Sequence, residues 1–454
     1  MRSSLLDRPR DRSLLAAGIL VSVILVVGVT LVLGIASFET QLYVATLAAV
    51  TALAVPLIRR AVRVEPTVTA GLLWAALILK VIGSGFRYLV LQYAYNGVGD
   101  ANGYHSAGVH TYHLVRHFDF SFLQPPYVDT ASIRYLTGFV YAIIGPSMSA
   151  GFLVFAMAAL IGQWWFYRAF RVGFPNGDHR LYRWLIFFLP SLLFWPSSLG
   201  KDAIMLFGLG LATYGLARIL NRLSIRAILA FAVGLTVVSF IRPPIGAIVV
   251  AAAGIAFVLR PSHTDSGMGR AVAWTFGVPV IILISTFMFL LAAKSLKLEG
   301  SLTQIQQYEF SKEGLNKGGS SFRPPSLSNP IDVAGSGLTA LFRPFPWEIS
   351  NPLVALAGLE GLFLVGLVVV RIRTIGRTLI SWRNGMSIYT TVMVVLLTVV
   401  LVGFTNFGLL VRQRTSLLPF LLMLPTALAS RPRGASETDS LPPLPEERRL
   451  GANV

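Results

Sequence analysis

Residues 68–94 read VTAGLLWAALILKVIGSGFRYLVLQYA, and just beyond them residues 97–106 read GVGDANGYHS. The first stretch exceeds the roughly 20 apolar residues that a bilayer-spanning helix needs. It carries only Lys80 and Arg87 as charges. An unpaired cation inside a span costs about 2.5–3.5 kcal/mol on insertion scales, so each should face a cavity or an acid. The second stretch places Asp100, Tyr104 and His105 where this span leaves the apolar layer.

Comparable apolar runs fall on either side. Spans are expected at 14–37, 41–58, 147–169, 181–197, 202–220, 225–241, 245–259, 271–293, 352–370, 386–405 and 413–429, which with 68–94 makes twelve. The expected fold class is an all-α polytopic membrane protein of about 12 transmembrane helices with two long extracytoplasmic loops. Of 454 residues 54% are hydrophobic and 13% charged, and there is no cysteine, which excludes disulfides and thiolate metal sites.

The net charge of +18 would suggest nucleic acid in a soluble protein, but in a membrane protein Lys and Arg first report orientation. We therefore expect no nucleic-acid partner. Of the 38 basic residues, 24 lie in the tails and in the connections 59–63, 168–183, 218–226, 260–270 and 371–383. This bias places both termini and those connections in the cytoplasm. The first run, preceded by Arg2, Arg8, Arg10 and Arg12, is too long for a signal-peptide core and reads as a retained span.

The chain then divides into a cytoplasmic N-tail (1–13), three spans (14–94), an extracytoplasmic loop with interfacial helices (95–146), spans four to nine (147–293), a second extracytoplasmic loop (294–351), spans ten to twelve (352–429) and a cytoplasmic C-tail (430–454). The second loop contains NKGGSSFRPPSLSN, which reads as flexible, and the proline-rich, polar tail is expected to be disordered.

If a helix starts at Ala101, Asp100 is its N-cap, accepting from free backbone amides. On that helix Tyr104, His105, Tyr112 and Arg116 share one side and His110, His113 and His117 another. The second trio has spacing that could hold a metal, but interfacial helices carry the same residues, and no metal ligands are assigned. The stretch FDFSFLQPPYVD brings Asp119 and Asp129 among aromatics, as suits a segment on the bilayer surface.

In LPSLLFWPSSLGKDA, Pro190 and Pro196 predict a broken helix, followed by Lys201 and Asp202 as an interfacial pair or an anion site. Cations recur at outer span ends as Arg242, Arg343, Arg412 and Arg414, with Glu348 beside Arg343. Each alone would be explained by snorkelling to headgroups. Together, and next to a carboxylate, they suit a phosphorylated lipid, with guanidinium forks on phosphate and an acid acting on a sugar hydroxyl.

The segments GDANGYHSAGVHTYHLVRHFDF, YLTGFVYAIIGPSMSAGF and LPSLLFWPSSLGKDAIMLFGLGLATYGLARIL resemble the N-terminal half of the C-type glycosyltransferase (GT-C) superfamily, which includes dolichyl-phosphate-mannose mannosyltransferase-like proteins. Asp100, Tyr104, His105 and Ala107 match the acid and the helical-spacing residues of its first large outer loop. The likeness covers about residues 95–220. In that family the loop follows the first span and many members carry paired acids, whereas here it follows the third and Asp100 stands alone.

The resemblance implies a GT-C-like enzyme of the bacterial plasma membrane with its active face extracytoplasmic. A polyprenyl-phosphate lipid would be the sugar donor, a glycan or glycolipid the acceptor, and membrane lipids the surroundings. Asp100 would be the general base. Lys201, Asp202, Arg242, Arg343, Arg412 and Arg414 would bind the donor phosphate region, and Tyr104 and His105 would orient the substrates. No cofactor is required, and a divalent cation is left open. A lipid-linked oligosaccharide polymerase or O-antigen ligase has similar spans and outer arginines. A flippase would instead line a path with Lys80, Arg87 and the broken helix.

Overall fold

The computed structural model describes residues 28, 37–125, 127–259, 330–349, 351–381, 384–402, 404 and 406–427. The expected spans at 14–37 and 271–293, most of the second loop and the C-tail lie outside the described residues. Among those described, all regular secondary structure is helical. In chain order the helices are α1 (Phe38–Val64), α2 (Ala70–Leu89, continued by a wide turn Val90–Ala94), α3 (Asp100–Arg116), α4 (Thr130–Ile144), α5 (Met148–Gly173), α6 (His179–Phe188), α7 (Pro190–Phe194), α8 (Lys201–Asn221), α9 (Ile225–Ile241), α10 (Pro243–Leu259), α11 (Pro330–Phe342), α12 (Pro352–Val370), α13 (Ile372–Ile380), α14 (Gly385–Val402), α15 (Phe407–Arg414) and α16 (Leu418–Thr426).

Six helices, α1, α2 with its turn, α5, α8, α12 and α14, are long and apolar enough to cross a membrane. The chain is thus a multi-pass membrane protein. Of the twelve expected spans, the described residues show these six, or seven if a bent pair counts as one span. Helices α9 and α10 have 17 residues each, at the short limit for a span. The span expected at 413–429 is the pair α15 and α16, bent by 59° at its break, and it starts earlier, at Phe407. The stretch expected to span 181–197 is α6 and α7.

That break has a clear cause. Leu189, preceding a proline, is extended (φ −63°, ψ 128°), because Pro190 excludes the helical conformation from it. Helix α7 leaves backbone groups unpaired at both ends. The amide of Ser191 donates to Glu360 Oε2 of α12 at 2.6 Å, and Lys80 Nζ of α2 donates to the Leu192 carbonyl at 2.6 Å and to Ser197 Oγ at 3.3 Å. Both charged side chains are buried, Glu360 at 4% and Lys80 at 0% exposure. A broken helix persists inside an apolar protein only when its freed groups are met in this way. Lys80 therefore faces a carbonyl and a hydroxyl instead of an acid.

Helix α8 is the most enclosed of the six, with 67% of its apolar window buried. It packs backbone to backbone. A Cβ on Gly162 of α5 would strike the Leu206 carbonyl, and one on Gly210 the Gly162 carbonyl; Gly234 of α9 likewise abuts Ala212. Small residues let helices approach closely where no hydrophobic drive exists between them in lipid. Aromatics complete the interior: Phe166 meets Phe420 edge-on, and Phe170 stacks on Tyr182 at 4.2 Å.

Chain reversals define two ends. At one end Arg371 pairs with Asp178 (3.0 Å), Arg171 and Arg168 with Glu65 (3.2 and 3.6 Å), and Asn384 donates to the Gly173 carbonyl. At the other end lie the start of α3, the 195–200 turn entering α8, the α9–α10 junction and α15.

Candidate functional site

Helix α3 begins at Asp100 itself, after Gly99, which has no side chain to cap it. Asp100 is therefore in the first turn and not the N-cap, and its carboxylate is free to turn outward. Its side chain is 60% exposed. Asp202, 3% exposed, is the second residue of α8, which also follows a glycine, Gly200. Acids in a first turn sit at the positive end of a helix.

Arg412 bridges the two. Its Nη1 lies 2.9 Å from Asp100 Oδ2 and its Nε 2.5 Å from Asp202 Oδ2. Gly200 lies between the Arg412 guanidinium and the Tyr104 ring; a Cβ there would come 3.8 Å from Nη2 and 3.9 Å from Cε2. Arg242 flanks Asp202, with Nη2 3.5 Å from Oδ1, and its Nη1 donates to Gln413 Oε1. Asp100, which the sequence leaves unpaired, thus has a second acid across an arginine.

Lys201 does not pair with its neighbour Asp202. Its Nζ meets Asp129 Oδ1 at 2.7 Å, tying α8 to the entry of α4. Asp129 has a left-handed φ of +61°, and its amide donates to the Phe240 carbonyl of α9 at 2.8 Å. Burial raises the Asp129 carboxyl, but the hydrogen bond and charge of Lys201 outweigh it and hold the group below the usual carboxylate range. Asp119 stays local, accepting from the Ser121 amide.

Tyr104 is 2% exposed. Burial first, then the Asp100 charge, pushes its hydroxyl up to about 12, so it serves at neutral pH as a neutral hydroxyl and not as a base. His105 points elsewhere: its Nδ1 lies 2.8 Å from the Tyr141 hydroxyl, which joins α3 to α4, and burial keeps its imidazole neutral by lowering its pKa.

Two of the expected arginines form a separate cluster. Arg414, fully buried, donates from Nη1 to the carbonyls of Leu341 (2.9 Å) and Arg343 (2.7 Å), with Nη2 3.9 Å from Glu360 Oε1. Arg343 pairs with Glu348 at 2.9 Å, and Glu348 also accepts from the Phe345 amide. These contacts anchor α11 and the 343–348 turn to α12 and α15. Among the described residues no group of three His, Asp or Glu side chains is placed to hold a metal ion.

One participant absent from the expected site set is Arg87. Its guanidinium stacks on the rings of Trp195, Phe194 and Tyr95 at 5.1–5.7 Å, and its Nε and Nη1 are enclosed without a hydrogen-bond partner. A cation within an apolar run was the signal for it, and the lone carboxylate within 352–370 was the corresponding signal for Glu360, which the expected set also lacks.

The site therefore offers an exposed carboxylate steadied on one oxygen by Arg412, two convergent helix N-termini and a guanidinium with donors to spare. Such a set can accept a proton from a hydroxyl and bind an anion beside it. Comparison with protein-family models, with curated proteins and with solved structures returns no match for this chain.

Proposed function

We propose that this protein is an integral-membrane glycosyltransferase that moves a sugar from a polyprenyl-phosphate carrier to a glycan or glycolipid acceptor. The observation that carries this reading is the exposed Asp100 carboxylate held 2.9 Å from Arg412 beside Asp202, Arg242 and Lys201. Asp100 removes the acceptor hydroxyl proton as that oxygen bonds to the anomeric carbon. The bond from that carbon to the phosphate oxygen breaks, with inversion, and the lipid phosphate leaves with the electron pair. Arg412, Arg242 and Arg87 meet its growing charge. Arg343 and Arg414, committed to carbonyls and Glu348, support the fold instead.

The orientation follows from charge. Arg59, Arg60, Arg63, Arg222, Arg226, Arg373 and Arg377 gather at the end away from Asp100, which supports a reading in which that end faces the cytoplasm of a bacterial plasma membrane and the Asp100 end is extracytoplasmic.

The test is mass spectrometry of lipids retained by the full chain purified in mild detergent, followed by transfer assays with Asp100→Asn. A polyprenyl monophosphate, bare or with one sugar, and a loss of about 10²–10⁴ in transfer supports the reading. A retained polyprenyl diphosphate oligosaccharide with Asp100→Asn near normal assigns the protein to polymerases or ligases. Retention of bulk phospholipid alone favours a flippase.

A further inference from the structure

A cavity lies toward the end of the molecule away from Asp100 and plays no part in the proposed transfer. It has a volume of about 530 Å³, runs between α1, α2 and α5, and is open to the perimeter. Ligand pockets commonly fall between about 300 and 1,000 Å³. Its α1 wall extends from Val50 to Val64, which at about 1.5 Å per residue is roughly 21 Å. That matches one leaflet, since a bilayer with its headgroups is about 40–45 Å thick.

The chemistry of the wall changes along this length. Toward mid-bundle it is apolar, with Leu57 and Leu77; at the charged end stand Arg60 and Arg168 beside Trp164 and Trp165. Arg168 is occupied, stacked over Tyr214 at 4.6 Å and 3.6 Å from Glu65. Arg60 is exposed and has no ion pair among the described residues. An apolar channel of leaflet length, closed by a free cation and tryptophans at headgroup depth, is complementary to an amphiphile with one anionic head.

We infer that this groove binds an anionic glycerophospholipid of the leaflet on the basic side, one acyl chain lying along α1 and α5 and the phosphate on Arg60. The occupant is committed by charge: a zwitterionic lipid brings its own cation to Arg60, and a second copy of this basic end brings only more arginines. The proposal stands independently of the transfer reaction.

The test uses the full chain in nanodiscs of phosphatidylcholine containing phosphatidylglycerol with brominated acyl chains, which quench tryptophan on contact. The Trp164 and Trp165 contribution is isolated by comparison with the Trp164→Phe/Trp165→Phe variant. Quenching of that component should be several-fold stronger for brominated phosphatidylglycerol than for brominated phosphatidylcholine at equal content. Arg60→Gln, at an exposed position that leaves folding intact, should abolish the preference while chain contact persists. Leu57→Phe, which narrows the groove without adding a tryptophan, should reduce quenching by both lipids. Equal quenching by the two lipids in the natural protein, or a preference that survives Arg60→Gln, overturns the inference. Absence of quenching by either lipid overturns it too, since another segment or molecule then covers the groove.

Discussion

Arg412 holds two carboxylates, and the geometry makes the two contacts unequal. Asp202 is 3% exposed and receives Nε at 2.5 Å, whereas Asp100 is 60% exposed and receives Nη1 at 2.9 Å. A hydrogen bond to a charged group contributes about 1.5–3 kcal/mol net, and stranding a buried charge costs about 3–5 kcal/mol. Arg242 remains 3.5 Å from Asp202 when Arg412 is removed, so the lower part of this range applies. For Asp202 we expect a coupling of about 2–3 kcal/mol. An exposed pair such as Arg412–Asp100 should give about 0–1 kcal/mol.

Two double-mutant cycles measure this: Arg412→Gln with Asp202→Asn, and Arg412→Gln with Asp100→Asn. Reversible unfolding of the full chain in mixed micelles, followed by helix content, supplies the four free energies of each cycle. A coupling to Asp100 that equals or exceeds the coupling to Asp202 would refute the division between a structural acid and a free one. The division matters for chemistry, because only the carboxylate that costs little to release can exchange Arg412 for a substrate.

Other consequences can be measured on the same preparation. Glu360→Ala removes the acceptor of the Ser191 amide and the counter-charge of Arg414, so it should cost about 3–5 kcal/mol, with Glu360→Gln costing clearly less; equal losses in unfolding free energy would contradict this. Gly162→Ala drives a Cβ into the backbone at Leu206, which cannot rotate away, and should lose about 1–3 kcal/mol, read as a lower melting temperature and less monodisperse protein. His105 has its pKa lowered by burial, so the unfolded chain binds its proton more readily. Its contribution to stability is complete above the ordinary value of about 6.5 and is lost as pH falls through it. His105→Gln should flatten the decline in melting temperature below about pH 6.5, and an unchanged slope would count against a neutral, half-buried imidazole.

Much of this architecture could be read along the chain, and what could not has physical reasons. Apolar length located α1, α2, α5, α8, α12 and α14, because span formation depends on local transfer energy alone. Pro190 announced the broken helix because its steric effect on Leu189 is equally local. The partners of charged groups are a different kind of fact: Arg412 and Asp100 stand 312 residues apart, and Lys201 chose Asp129 over the adjacent Asp202. Helical geometry nonetheless held one clue to the arginines. Arg412 and Arg414 are two positions apart on α15, and residues so spaced do not share a face. Only one of them could reach a given site. Asp100 and Asp202 claim Arg412, which leaves Arg414 turned inward to the carbonyls of Leu341 and Arg343 and to Glu360. The same helix that supplies the site with its central cation thereby fastens α11 and α12 behind it. A substitution at Arg414 should accordingly disturb the position of Arg412 without touching a ligand.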